Sequence, residues 1–277
     1  MNEFEIVTLK SGMKSLRSLA LRETFHPVTG PFAEANRLHI GQQRLVERCA
    51  AAKETFVIWD VGLGAAANAL AAVEALVCGG GRTEIHSFDK TVTPLEFAIA
   101  HADELKYPLP HLDLLRCLIA GRCATSGAGI GWFLHHGDFR ELIRDESIPG
   151  PDAIFYDPYS PGVNREMWTL EHFQAVRKRL DFGTPCLLTN YSRSTAVRVT
   201  LLLAGFFVGV GHGVGEKDET TIASNRVELL EKPLGSRWLA RVLNSTNAAP
   251  LRGSDHARGP ISEEDFGRML RHSQFCG

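Results

Sequence analysis

The sequence predicts an α/β fold built on a mostly parallel sheet, and three observations carry that prediction. From residue 55 onward, short apolar runs alternate with helical stretches, the pattern of strands covered on both faces. The stretch "IWDVGLGAAANAL" (58–70) reads as a strand, a glycine turn and a helix. The last two strand candidates are separated only by "GHGVGEKDE", too short for a crossover helix. That spacing forces an antiparallel pair at the end of the sheet.

The elements follow in order. Residues 1–30 alternate polar and apolar in two short runs around "KSG", which predicts a small hairpin. In "TGPFAEANRLHIGQQRLVERCAAA" the apolar residues Phe32, Ala35, Leu38, Leu45 and Val46 fall on one side of a helix. Strands are expected at 56–60, 84–88, 132–135, 153–156, 185–190, 205–210 and 220–225, with helices between the first five. Five parallel strands closing in an antiparallel hairpin differ from a dinucleotide-binding domain, which keeps a parallel sixth strand. The tail is polar until "SEEDFGRMLRH", where Ser262 caps a short helix with acids in its first turn. The expected organisation is an N-terminal hairpin and helix (1–50), a core domain (51–245) and a C-terminal tail (246–277).

Composition excludes several classes. The apolar share of 44% and charged share of 22% are those of a globular protein. A net charge of −2 over 277 residues gives no general pull towards nucleic acid. The six cysteines, Cys49, Cys78, Cys117, Cys123, Cys186 and Cys276, form no C-x-x-C pair and read as reduced thiols. "MNEFEIVTLKSG" has no signal-peptide pattern, and "LLLAGFFVGVG" is too short to span a bilayer. A cytoplasmic protein is expected.

The chemistry-bearing residues sit at strand ends. Gly62 and Gly64 follow the first core strand and let a ligand approach the backbone at a helix N-terminus. With Ala67 they also match G-x-G-x-x-A, a permitted dinucleotide pattern. Asp89 ends the next strand, where an acid accepts both hydroxyls of a ribose. Asp138 follows the third strand in "LHHGDFRELI". The neighbouring His135 and His136 point to opposite faces of their strand, so no metal site is expected. In "DAIFYDPYSPGVNREMW", Asp157 ends the fourth strand and opens a loop stiffened by two prolines. An acid there can orient an acceptor amine and take its proton, and Tyr159 can wall the pocket. Positive charge is found at Arg177–Arg179, at Arg193 and Arg198 near the expected site opening, and at Arg237 and Arg241 around Trp238.

Taken together, "DVGLGAAANAL", "HSFDK", "GDFRELI", "DAIFYDPYSPGVNREMWT", "GFFVGVGHGVGEKDETTIASN" and "ETFHPVTGPFAEA" resemble the MnmC2-type methyltransferases, over roughly residues 5 to 252. The resemblance implies a class I methyltransferase sheet and S-adenosylmethionine as cofactor, with no FAD and no metal. It implies N-methylation of the 5-aminomethyl group of a wobble (thio)uridine in tRNA. In many bacteria the domain is fused to a FAD-dependent oxidase; this chain is expected to act without it. Carried over by position, Glu34 lies near the methionine end of the cofactor. Gly62, Gly64, Asn68, Asp89, Lys90, Asp138 and Phe139 bind the cofactor, with Asp138 facing the adenine. Asp157 serves both the cofactor site and the reacting amine, and Tyr159, Pro161 and Arg198 serve the substrate.

Three departures stand out. The third glycine of the family's loop is missing from "GLGAAAN", a lysine is replaced by Val163, and a basic loop reads "GEKDE" (215–219). Glu216, Asp218 and Glu219 weigh against an RNA backbone there. The alternatives are a related methyltransferase acting on another amine or small molecule, and, from a different class, an NAD-dependent oxidoreductase or non-catalytic nucleotide-binding module.

Overall fold

The computed structural model describes residues 3–26, 29–77, 81–181, 183–253 and 258–276. Cys78 lies outside them; the other five cysteines are free thiols. No described helix is long and apolar enough to cross a membrane.

The chain opens with a hairpin of β1 (Phe4–Thr8) and β2 (Lys14–Ser18), turning at 9–13 around Gly12. Then come α1 (Pro31–Ala35), a π-helical turn (Asn36–Gly41) and α2 (Leu45–Ala51). The first half of the sheet region holds β3 (Phe56–Val61), α3 (Ala67–Leu76), β4 (Thr83–Asp89), α4 (Thr93–Ala100), α5 (Ala102–Leu105), α6 (Leu112–Gly121), β5 (Cys123–Thr125) and β6 (Gly131–His136). The second half holds α7 (Phe139–Leu142), β7 (Ala153–Tyr156), α8 (Leu170–Lys178), β8 (Leu187–Asn190), α9 (Thr195–Leu203), β9 (Phe207–Val214) and β10 (Lys217–Ser224). Two helices follow, α10 (Ser236–Leu243) and α11 (Glu263–Leu270).

The eight strands of the main sheet run in the order β5-β6-β4-β3-β7-β8-β10-β9. Strands β6, β4, β3, β7 and β8 are parallel, and β10 and β9 close the sheet antiparallel. This is the class I methyltransferase sheet the sequence predicts. Side-chain alternation along each strand divides the core into two layers. Val57, Trp59 and Val61 of β3 join Ile154 and Tyr156 of β7 under α8 and α9. Phe56 and Ile58 join Ala153 and Phe155 on the other face, under α3 and α6. Ala248, Leu251 and Met269 of the C-terminal segment pack into the first layer. Ser262 caps α11 by accepting from the Asp265 amide.

Three details differ from the sequence expectation. The edge strand β5 has only three residues, two of them exposed, too few for a periodic signal, and pairs antiparallel with β6. The helix expected across 29–52 is broken, with Arg44 left-handed at φ 48°. Tertiary hydrogen bonds override helix propensity there. Gln43 donates to the Ile154 carbonyl and the Thr189 hydroxyl, and Gln42 accepts from the His212 amide. The rotated α2 leaves Val46 38% exposed instead of buried. The terminal hairpin turns on Gly215 and Glu216 alone, so β9 and β10 reach further than expected.

Candidate functional site

The carboxyl ends of β3, β4 and β7 meet at a cavity of about 990 Å³, where an open α/β sheet places its ligands. The turn after β3 sets its floor. Gly62 has φ 92°, and a Cβ on it would lie 2.7 Å from the Asp157 carbonyl oxygen. Only glycine allows the β3 turn and the β7 loop to pass this closely. Gly64 also has positive φ, at 51°, and its amide donates to Asp89 Oδ2 at 3.0 Å. Ala66 occupies the position of the missing third glycine and adopts the left-handed φ of 63° as the N-cap of α3.

Asp89 ends β4 with its second oxygen accepting from the Thr91 amide at 3.2 Å. Burial pushes its carboxyl above the ordinary range, against the pull of these amides. Asn68, in the first turn of α3, donates to Asp157 Oδ2 at 2.8 Å. Its own Oδ1 is buried at the cavity without a partner, an acceptor waiting for a ligand donor.

Asp157 is held from three sides. Its amide donates to the Val61 carbonyl at 2.9 Å, and Asn68 and His26 flank its carboxylate. The side chain is 15% exposed, and burial pushes its carboxyl up to about 7, with Asn68 and Lys217 opposing. His26 lies between two acids, its Nε2 3.9 Å from Asp157 and its Nδ1 3.9 Å from Glu34. Burial lowers the imidazole and raises the Glu34 carboxyl. The Asp157 loop is braced by Tyr191, whose hydroxyl donates to the Pro158 carbonyl at 2.9 Å, and by Glu23, which accepts from the Ser160 hydroxyl and amide. Phe25 packs edge-on against Tyr159 at 5.5 Å.

Of the residues expected to form the site, Glu34, Gly62, Gly64, Asn68, Asp89, Lys90, Phe139, Asp157 and Tyr159 line this one cavity. Asp138 does not line it. Its carboxylate caps α7, accepting from the Arg140 amide and guanidinium and from Lys90 at 3.0 Å. These donors hold its carboxyl well below the usual range. Pro161 is outside the lining too; it shapes the turn in which Ser160 accepts from the Val163 and Asn164 amides. Arg198 corrects the sequence expectation. It faces the sheet from α9 with its side chain 1% exposed, and it bonds to Thr221, Glu219 and the Thr220 carbonyl. It clamps α9 to β10 and cannot reach a substrate. Arg179 and Arg177 are likewise tied to backbone carbonyls, and Arg241 pairs with Glu219. Sequence reasoning missed Glu23, His26, Tyr191 and Lys217. His26 lay inside the quoted "ETFHPVTGPFAEA" and Lys217 inside "GEKDE", so both were in view without a spacing to single them out.

Among the described residues no group of three or more His, Cys, Asp or Glu side chains is placed to hold a metal ion. The floor is suited to an adenosyl group. It offers an N-terminal helix turn with no room for a Cβ, an acid at the ribose position and the unpaired Asn68 acceptor.

Known proteins are similar to this chain in sequence and fold. The profile of a family described as S-adenosyl-L-methionine-dependent methyltransferase matches residues 114–226. The tRNA 5-methylaminomethyl-2-thiouridine biosynthesis bifunctional protein MnmC of Methylibium petroleiphilum is 28% identical over 82% of this chain and 35% of that protein. The protein of the same name from Aeromonas hydrophila is 29% identical over 68% of this chain and 30% of its own length. The chain thus spans about a third of the curated relatives it matches. The crystal structure of MnmC2 from Aquifex aeolicus superposes with a TM-score of 0.74 at 26% identity, covering 98% of this chain and 85% of that one.

Proposed function

We propose that this chain, an S-adenosyl-L-methionine-dependent methyltransferase of the MnmC type, methylates the 5-aminomethyl nitrogen of a modified wobble uridine in tRNA. The site of action is the cytoplasm. The observation that carries the reading is the Asp157 carboxylate, which faces the cavity at the carboxyl end of β7 in the grip of Asn68. The relatives named above for tRNA thiouridine biosynthesis supply the substrate class.

The cofactor would rest on the turn from Gly62 to Ala66, with Asp89 on its ribose, Phe139 beside its base and Glu34 towards its amino-acid end. When bound, it supplies an electrophilic methyl group. The protein's own task is to present an unprotonated amine. A carboxyl pushed up to about 7 can take a proton from an alkylammonium near neutral pH. Asp157 does this, and Asn68 fixes the direction of its lone pairs. Tyr159, in edge contact with Phe25, walls the pocket for a flat base.

The acidic loop favours a second reading, in which a smaller amine is methylated. Its charge is partly answered within the protein. Glu219 pairs with Arg198 and Arg241, and Glu216 with Lys10. That supports keeping tRNA first.

The test uses labelled S-adenosylmethionine and bulk tRNA from a strain lacking its own wobble-uridine methyltransferase. Label should appear in the wobble uridine. Asp157→Asn should cut the rate by about 100-fold or more while cofactor binding by calorimetry holds within about 3-fold. Cofactor binding without transfer to tRNA would sink the tRNA reading, and equal labelling of free nucleoside would favour the second.

A further inference from the structure

We propose that Lys217 is the positioning residue of the site: its ammonium, clamped on Tyr191, is the fixed counter-ion that lets Asp157 receive the proton of the acceptor amine. The assignment rests on the amine-methylating reading above.

Lys217 is the first residue of β10 and sits in the acidic loop that argues against RNA. The tight turn at Gly215–Glu216 folds it back over the cavity, which it lines. A Cβ on Gly213 would lie 2.5 Å from the Lys217 carbonyl oxygen, so β9 admits the start of β10 only because that residue is glycine. The side chain is fixed at its tip. Nζ donates to the Tyr191 carbonyl at 3.0 Å and lies 4.7 Å from the centroid of the Tyr191 ring. The hydroxyl of the same tyrosine holds the Pro158 carbonyl, one residue after Asp157. One aromatic residue therefore locks both the cation and the loop that carries the carboxylate.

The groups around the pair come from every neighbouring element. Asn68 of α3, His26 after β2, Glu34 of α1 and Asp60 of β3 act on Asp157 or on each other. Arg193, on the solvent side, acts on Lys217. His26 is driven towards its neutral form by burial, so it offers no lasting positive charge. Lys217 is electrostatically coupled to both Asp157 and Glu34. A cation there favours the charged form of each acid.

The chemistry explains why this matters. The acceptor arrives as an alkylammonium. One N–H bond breaks, the proton joins a carboxylate oxygen of Asp157, and the electron pair stays on nitrogen. The carboxylate becomes a neutral acid and later releases the proton to water. If Asp157 already held a proton it could not begin this step. Lys217 pulls the carboxyl towards its charged form against the effect of burial, without touching the substrate.

The test reads Asp157 directly, so it does not depend on any acceptor. Side-chain carboxyl ¹³C resonances are titrated in the full chain, with Asp157 assigned by its loss in Asp157→Asn. Lys217→Met should raise the Asp157 midpoint by about one pH unit or more, and Lys217→Arg should return it towards wild type. Lys217→Gln gives a second neutral variant should the methionine form fold poorly. In the methylation assay the acid limb of kcat should move with the midpoint, with kcat above pH 9 recovering to within about 3-fold. An Asp157 midpoint unmoved in folded Lys217→Met or Lys217→Gln overturns the assignment. A midpoint that moves while tRNA receives no methyl group supports the counter-ion role and removes the tRNA reading instead.

Discussion

Asp60 lies on β3 and Asp157 follows the end of the neighbouring β7, and burial pushes both carboxyls up to about 7. Their surroundings separate their roles. Asp60 is fully buried, with Oδ2 accepting from Ser87 at 2.7 Å and Oδ1 without a partner. Asp157 faces the cavity. An acid whose folded-state titration is raised favours folding most when protonated, and that contribution is lost as pH rises through the folded value. Asp60 therefore costs stability increasingly as pH rises from the ordinary carboxyl range to about 7, and the cost levels off above that. Asp60→Asn should gain on the order of a few kcal/mol relative to wild type between pH 5.5 and 8.5, measured by urea unfolding at both. Gly62→Ala should act through sterics, since its Cβ would meet the Asp157 carbonyl at 2.7 Å. It should cost about 1–3 kcal/mol of stability and weaken cofactor binding about 10-fold or more, read by thermal unfolding and calorimetry. Gly62, Asp89 and Asp157 were legible in the sequence because each ends a strand or fills a turn, where chemistry and local pattern coincide. His26, Glu23 and Lys217 were not, because they reach the same cavity from distant parts of the chain and no local spacing marks them.

At the scale of elements, the parallel strands could be read because apolar runs separated by helices leave few other arrangements. The break in the helix expected at 29–52 could not, because it is imposed by Gln42 and Gln43 bonding to other elements. Arg198 shows the same limit. A basic residue after a strand end reads as a substrate contact, but Arg198 lies on the face of α9 that packs against the sheet. Its loss should therefore damage the join between α9 and β10 and not substrate affinity alone. Among the described residues, Arg198→Met leaves Glu219 with only Arg241 as an ion-pair partner, at 3.7 Å. The expected cost is on the order of 3 kcal/mol in unfolding, with no selective rise in the KM for tRNA. A rise in KM at unchanged stability would restore the sequence reading.

Over the whole molecule, a net charge of −2 means that the proposed tRNA substrate would have to be held by the rim of the cavity. Arg22 and Arg193 are exposed there, contributed by the segment after β2 and the segment after β8. If they hold phosphates, Arg22→Ala and Arg193→Ala should each raise the KM for tRNA several-fold. Each should also lower the salt slope of log KM by about one. Kinetics at four salt concentrations would show this, and an unchanged slope would exclude them. The sheet order carries a last consequence, one of timing. Strand β9 is translated before β10 yet lies outside it, and β8 pairs with β10. On a ribosome that delivers the chain from its N-terminus, β9 has no sheet edge to join until β10 has emerged. Lys217 enters the site with that strand. A nascent chain thus carries Gly62, Asn68 and Asp157 for the whole synthesis of residues 158–216 before their counter-ion exists. The same late hairpin completes both the sheet and the electrostatics of the cavity, so catalytic competence is withheld until translation has passed the end of the fold's outermost pair of strands.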